Sequence, residues 1–323
     1  MTPILSKAAG SKRCRRMSDG SAASVLRAGA GGSVVVTPLR PDQVHQPDGA
    51  AMPDPAVSVQ RMVYRGDYTA EGTRTIPRET PVALSYNRST HAVMLATPAD
   101  LEDFAVGFSL SEGIIRRAED ILALEIVFVP DGIECRVDLP TERLQALTQR
   151  QRRLTGPSGC GLCGMDSLAA AIRPAPNVPV GRTFTLGMIQ AAMQAMPAAQ
   201  TLNLATRAVH AAAFWTPSQG LVALREDVGR HNALDKLSGA LVRLGVTAAD
   251  GLLLLSSRVS VEMVQKAATL GAPVIVAISA PTSLAVEVAA TAGITLIGVA
   301  RPDGFEAFTN VDRISPRMAS HVA

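Results

Sequence analysis

The chain has 323 residues, 47% of them apolar, and no apolar run approaches the roughly 18 residues that a membrane-spanning helix needs. Four cysteines in a chain of this length do not make a disulfide framework, so we expect a globular cytoplasmic protein with no membrane contact. The net charge of +3 arises in the first 56 residues, which hold seven Lys or Arg and four Asp or Glu. The remaining residues hold 24 of each, which argues against a nucleic-acid partner.

Residues 1–56 are rich in Gly, Ala, Ser, Pro and Arg and carry little periodic apolar pattern, which predicts a disordered tail. Lys12, Arg13, Arg15 and Arg16 form a basic run of the kind found in targeting peptides. No apolar region follows this run, so a secretory or twin-arginine signal is not indicated. An organelle transit peptide is the alternative that stays open.

Residues 57–153 predict a smaller α+β domain. Alternating segments with β-branched residues predict its strands at 57–64, 81–87, 91–97, 124–129 and 133–138. Cys135 falls in the last of these strands, and we interpret it as a buried bystander. A polar helix from about residue 140 completes this part.

A helix is predicted between the third and the fourth of these strands. Thr97 is suited to its N-cap, Pro98 to its first helical position and Asp100 to the acid of a capping box. The apolar residues that follow recur at helical spacing and form one stripe: Leu101, Phe104, Ala105 and Phe108.

Residues 154–166 hold the sequence S-G-C-G-L-C-G, in which Cys160 and Cys163 lie three apart between glycines. A structural zinc site needs four ligands. We expect no structural metal, because the other candidates form no second close pair: Cys14, Cys135, His210 and His231. The zinc deaminase pattern fails as well, since no H-x-E precedes the cysteines. A thioredoxin-like site is not indicated either, because the pair lies in mid-chain after a polar helix.

The glycines around the two cysteines predict a mobile loop with little bulk near the sulfur atoms. The segment M-D-S-L-A-A-A-I-R predicts a helix over 165–173, whose N-terminus lowers the pKa of a nearby thiol and favours the thiolate. An exposed thiolate on a flexible loop can be loaded at one surface and can unload at another. We therefore interpret the pair as a site of reactive sulfur.

Residues 167–323 predict an α/β domain. Four continuous apolar runs at 221–225, 251–256, 273–279 and 294–300 alternate with helical segments of about 10 to 15 residues. This alternation is typical of a mostly parallel sheet that helices cover on both faces.

Polar residues follow each of these four runs, and ligands of open α/β sheets lie beyond the carboxyl ends of the strands. Arginines, hydroxyls and helix N-termini at one edge suit an extended anion. Each residue alone fits a helix cap or a solvated surface, and His231 fits either a first-turn residue or an acid–base group. The candidates after the first three runs are Asp227, Arg230, His231, Ser257, Arg258, Thr282 and Ser283. No Walker loop or G-x-G-x-x-G accompanies them.

Five segments together resemble the signature blocks of the formate dehydrogenase accessory sulfurtransferases, the FdhD family. They are T-P-A-D-L-E-D-F-A-V-G-F-S-L-S-E-G-I-I, G-C-G-L-C-G, R-E-D-V-G-R-H-N-A-L-D-K, S-S-R-V-S-V-E-M-V-Q-K-A and A-P-T-S-L-A-V-E-V-A. The resemblance runs from about residue 60 to 312. It implies a homodimer with a cytidine-deaminase-like α/β core that lacks the deaminase zinc site.

The resemblance also implies a function. Family members accept persulfide sulfur from a cysteine desulfurase and pass it to the molybdenum or tungsten bis(molybdopterin guanine dinucleotide) cofactor for formate dehydrogenase. Cys160 matches the persulfide-bearing cysteine and Cys163 the second cysteine of the motif. The family's cofactor-binding stretch falls on Val299, Ala300, Arg301, Pro302, Asp303 and Gly304. Pro302, Asp303 and Gly304 depart from the Gly, Glu and Arg that are more frequent after the arginine.

We therefore predict a sulfurtransferase that binds this cofactor, and guanine nucleotides as partial mimics of it. One alternative is a non-catalytic chaperone that docks the cofactor on apo formate dehydrogenase. A redox-sensing dithiol protein is a second alternative, but it would not explain the polar residues at the four strand ends.

Overall fold

The computed structural model of the protein describes residues 44–45, 52–144 and 174–316, and all of them lie in one compact unit that spans residues 36–323. Cys160, Cys163 and the helix predicted at 165–173 lie outside the described residues. Among the helices that are described, none combines the length and the apolar character that crossing a bilayer requires.

The first sheet has five strands in the order β1-β6-β7-β4-β5. Its strands are β1 Val44–His45, β4 Thr80–Tyr86, β5 Ser89–Ala96, β6 Ala123–Val129 and β7 Gly132–Asp138. The four longer strands confirm the sequence prediction. The two residues of β1 fall within the stretch predicted as a tail, and they pair in parallel with β6 at the edge of the sheet.

A long hairpin precedes this sheet. Its strands, β2 Ala56–Arg65 and β3 Tyr68–Pro77, pair in an antiparallel manner along all ten residues. β2 was predicted, but β3 was not, because a threonine-rich segment with a central glycine has a weak strand pattern. The side chain of Arg74 in β3 donates a hydrogen bond to the backbone carbonyl of Thr206, which connects the hairpin to the helix Thr201–Thr206.

Helix α1 (Leu101–Ser111) packs its predicted apolar stripe against the first sheet, and all four stripe residues are buried. The predicted cap is wrong. The helix begins three residues later than expected, after Asp100, which has a left-handed backbone (φ 54°) and makes no capping hydrogen bond. Thr97 is instead fully buried, and its amide donates to Asp227 at 2.9 Å.

The second sheet has six strands in the order β10-β9-β11-β12-β13-β14. They are β9 His210–Thr216, β10 Gly220–Asp227, β11 Leu252–Leu255, β12 Val274–Ala277, β13 Thr295–Arg301 and β14 Gly304–Thr309. The expectation of a mostly parallel sheet needs correction. Only the β11–β12 and β12–β13 pairs are parallel, because two unpredicted strands, β9 and β14, run in the opposite direction. The four predicted strands nevertheless share one direction.

Helices cover both faces of the second sheet, as the sequence predicts. One face packs against α4 (Arg230–Arg243), α5 (Val261–Leu270) and α6 (Ser283–Thr291) in the largest hydrophobic core. The other face packs against α2 (Leu186–Ala199), which is followed by α3 (Thr201–Thr206). A small two-stranded sheet joins β8 Phe184–Thr185 to β15 Ile314–Ser315.

Helices α1 and α4 connect the two sheets through a close crossing. A Cβ atom on Gly107 would lie 1.7 Å from the carbonyl oxygen of Asp235, and one on Gly239 would lie 1.9 Å from that of Asp103. Only glycine allows this approach at both positions. The Asp103 carboxylate reinforces the crossing, because it binds Arg225 at 2.7 Å and Arg243 at 2.6 Å.

Candidate functional site

The loops that follow β11, β12 and β13 meet at one edge of the second sheet. The amide of Thr282 donates to the carbonyl of Val259 at 2.9 Å, and the amide of Val299 donates to the carbonyl of Ser279 at 3.3 Å. The loop after β11 is also held to β9, because the Ala211 amide donates to Ser256 Oγ at 2.7 Å. The chain therefore brings the strand ends singled out from the sequence to one continuous edge.

The two arginines at this edge are exposed. Arg258 follows β11 and Arg301 ends β13. The Arg301 guanidinium donates to the backbone carbonyls of Ile278 and Ala300, which directs it across the end of the neighbouring strand. Both side chains are therefore accessible to a ligand in solvent, and their contact with one stays a prediction.

The stretch Val299–Gly304 comprises the end of β13, the two turn residues Pro302 and Asp303, and the first residue of β14. Val299 has a left-handed backbone with φ 50°, a rare conformation for a β-branched residue. It lies where the register shifts between Gly298 and Arg301, which pairs with Gly304 across the turn. Pro302 and Asp303 are exposed at the tip, whereas Ala300 is buried. Strain of this kind clusters at functional sites.

The hydroxyl residues of the site have roles within the protein. Thr282 caps α6, because its Oγ1 accepts from the Ala285 amide at 3.4 Å. Ser257 is buried, and its hydroxyl donates to the carbonyl of Arg258 at 3.1 Å. Ser283 is exposed in the first turn of α6. These hydrogen bonds lie within the protein. A contact between any of the three hydroxyl residues and a ligand stays a prediction.

Asp227 has its carboxylate occupied by protein donors. It accepts from the amides of Thr97 and Gly229, from Asn232 Nδ2 at 2.9 Å and from Lys236 Nζ at 2.6 Å. Both Asp227 and Lys236 are fully buried. The sequence pattern gave no sign of Lys236, because a lysine inside a helical segment is ordinarily solvated. Asp227 thus joins the turn before α1 to the turn before α4.

Arg230 and His231 open α4, so His231 occupies the first helical turn. Burial and the nearby charges of Arg230 and Lys266 lower the pKa of His231 to about 4, against the opposing effect of Glu262. The imidazole is therefore neutral near pH 7. Glu262, in the first turn of α5, acts on the His231 imidazole and was not among the candidates from the sequence.

The cysteines of the loop, Cys160 and Cys163, lie outside the described residues. Cys135 is fully buried, as the sequence predicts, and this desolvation raises the pKa of its thiol to about 12. Within the described ranges, no three His, Cys, Asp or Glu side chains gather closely enough to bind a metal ion.

Known proteins resemble most of the chain. A sequence profile of the FdhD/NarQ family matches residues 77–315. The sulfur carrier protein FdhD of Agrobacterium fabrum is 53% identical over 257 residues, which are 79% of this chain and 95% of that protein. The proteins of the same name from Brucella abortus and Xanthomonas campestris are 50% and 44% identical over 79% and 85% of this chain, and over 96% and 97% of their own lengths.

A solved structure shares the fold. It is a crystal structure of a candidate formate dehydrogenase accessory protein from Desulfotalea psychrophila, at 24% sequence identity. It matches with a TM-score of 0.64 and covers 81% of this chain and 100% of that chain. A mixed α/β architecture with several sheets is therefore common to both proteins.

Proposed function

The chain belongs to the FdhD/NarQ family, and on this basis we propose that it is a sulfurtransferase that serves formate dehydrogenase. It accepts persulfide sulfur from a cysteine desulfurase and passes it to the molybdenum bis(molybdopterin guanine dinucleotide) cofactor. Three relatives at 44% to 53% identity carry the name sulfur carrier protein, which supports the transfer of sulfur as the activity.

Cys160 takes up the sulfur in this proposal. Its thiolate attacks the outer sulfur of the desulfurase persulfide, the sulfur–sulfur bond breaks, and the cysteine thiolate of the desulfurase leaves. The sulfur then resides on Cys160 as a persulfide. Cys163 either shares this sulfur or attacks the inner sulfur atom of the persulfide, which forms a disulfide and releases sulfide.

The observation that carries the binding half of the proposal is the edge where the four same-directed strands end. Arg258 and Arg301 are exposed there, and arginine binds phosphate oxygens with charge-assisted hydrogen bonds. The N-terminus of α6 adds a partial positive charge. This combination suits the pyrophosphates of a long anionic cofactor, which is the cargo of the reaction. A cytidine-deaminase-like core, a homodimer and a cytoplasmic location belong to the same proposal.

Calorimetric titration of GDP into wild type, Arg258→Ala and Arg301→Ala tests the binding half. Loss of one charge-assisted hydrogen bond costs about 1.5–3 kcal/mol, which is roughly a tenfold to hundredfold loss of affinity for the whole cofactor, and GDP should show a weaker form of it. Arg117→Ala is the control, because the Arg117 side chain is 64% exposed and does not belong to this edge. Unchanged binding in both variants would move the site elsewhere.

Complementation of a strain that lacks the endogenous carrier tests the transfer half and separates it from a cofactor chaperone. Cys160→Ala should leave formate dehydrogenase inactive, and Cys163→Ala should do less damage because the first attack still occurs. The chaperone alternative requires only the described edge, because binding of the cofactor needs no cysteine. A variant without both cysteines that kept full activity would establish the chaperone.

A further inference from the structure

Four buried polar atoms without a hydrogen-bond partner gather at one place in the described part of the chain. They are Arg230 Nε, His231 Nε2, Ser260 Oγ and Glu262 Oε2. Buried polar atoms in native proteins are satisfied in the great majority of cases, so each exception needs an explanation. Four exceptions in one cluster point to a missing partner rather than to four separate defects.

The cluster lies at the ends of two strands that flank β9. Arg230 and His231 follow β10, and Ser260 and Glu262 follow β11. Both strands run in the same direction on either side of β9, so the two short segments meet at one edge. The charges of Arg230 and Glu262 both act on the His231 imidazole, which agrees with their being neighbours.

The surrounding lysines do not supply the missing partner. Lys266 binds both carboxylate oxygens of Asp235, at 2.7 Å and 2.8 Å. Lys236 binds Asp227 at 2.6 Å. The two lysines thus donate to other carboxylates, and Glu262 Oε2 and Arg230 Nε have no hydrogen-bond partner among the described residues.

The four groups define the chemistry of that ligand. Glu262 offers a carboxylate that only accepts hydrogen bonds, and it repels a purely anionic group. Arg230 offers only donors and repels a cation. His231 is neutral near pH 7, and its buried nitrogen can complete the set with the Ser260 hydroxyl. A flat, uncharged edge that carries adjacent N–H donors beside a carbonyl oxygen satisfies all of these groups.

We propose that Glu262 is a specificity-determining residue that recognises the 2-amino-4-oxopyrimidine edge shared by guanine and pterin rings. Its carboxylate accepts from the ring N–H and the exocyclic amine, while Arg230 donates to the ring carbonyl oxygen. This inference rests on the proposed function, since the proposed cargo contains both rings. The inference specifies which part of the cofactor this cluster recognises.

The test compares ligands that differ by one amino group. GDP and IDP differ only in the exocyclic amine of the base, and pterin and 4(3H)-pteridinone differ in the same way. Wild type should bind the amino form of at least one pair roughly tenfold to hundredfold more tightly, as expected for hydrogen bonds to a charged group. Glu262→Gln should lose this preference while the affinity for the form without the amine stays nearly unchanged.

Glu287→Gln is the matched control, because Glu287 is exposed on α6. Its preference should equal that of wild type, and thermal melting should show that both variants are folded. A preference within the nucleotide pair assigns the site to guanine, and a preference within the pterin pair assigns it to pterin.

Two results would overturn the inference. The first is equal binding within both pairs by wild type, and the second is a preference that Glu262→Gln retains. Normal sulfur loading on Cys160 together with either result would leave the sulfur-transfer proposal standing. Absence of binding to all four ligands would remove this inference and the cofactor-binding half of the proposed function together.

Discussion

Removal of one partner of the buried Asp227–Lys236 pair should destabilise the protein strongly. Both side chains are fully buried, and Lys236 Nζ lies 2.6 Å from Asp227 Oδ2 and 2.8 Å from the carbonyl oxygen of Thr97. Asp227→Asn leaves a buried ammonium with that carbonyl as its acceptor. Breaking a buried pair in this way costs about 3–5 kcal/mol.

Lys236→Met should cost less than Asp227→Asn. The carboxylate that remains still accepts from the amides of Thr97 and Gly229 and from Asn232, at 2.8 to 2.9 Å. The double variant buries no charge, so we expect it to cost less than the sum of the two single variants. The two costs should therefore be far from additive.

Urea unfolding at equilibrium measures these costs. Arg117→Gln is the control, because the Arg117 side chain is 64% exposed and Asp120 keeps its closer pair with Arg143 at 2.9 Å. Loss of the Arg117 pair should therefore cost under about 1 kcal/mol. Costs below about 1 kcal/mol for both Asp227→Asn and Lys236→Met would refute the reasoning. Additive costs in the double variant would show that the two side chains do not act as a pair.

Three further predictions concern other parts of the fold. Gly239→Ala should destabilise the α1–α4 crossing by about 1–3 kcal/mol in urea unfolding, whereas Gly187→Ala, whose Cβ would meet nothing closer than 4.0 Å, should not destabilise the protein. Cys135 should resist alkylation at neutral pH until the chain is unfolded, as mass spectrometry would show, because burial raises the pKa of its thiol to about 12. Stability should fall as the pH drops from about 6.5 toward about 4, because the unfolded chain binds a proton on His231 that the folded chain does not. His231→Gln should reduce this slope in urea unfolding at pH 7 and pH 5, and an unchanged slope would contradict it.

The sequence was sufficient where a local pattern decides the structure. The four longer strands of the first sheet follow from alternation and from β-branched content, and the four strands predicted in the second sheet follow from continuous apolar runs. Strand β9 was missed because its run of alanines has little strand propensity, and its place is decided by burial between helices on both faces. The two antiparallel strands then changed the pairing of the sheet.

Contacts between distant residues account for the rest. Thr97 has the sequence of a helix cap, but Asp227 binds its amide from 130 residues away. Glu262 resembles an ordinary acidic residue in the first turn of a helix, where a carboxylate is favourable in any case. Only the structure shows that its Oε2 atom has no hydrogen-bond partner among the residues it describes, because the neighbouring lysines bind Asp227 and Asp235 instead. The strand ends were predicted together because strands of one direction must end at one edge.

Intact-mass spectrometry after incubation with a cysteine desulfurase and cysteine tests the transfer of sulfur most directly. Wild type and Cys163→Ala should each gain one sulfur atom, and peptide mapping should place the gain in wild type on the peptide that contains Cys160. Cys160→Ala should gain none, while its melting temperature stays that of wild type. An equal gain in Cys160→Ala, or no gain in wild type, would contradict the account.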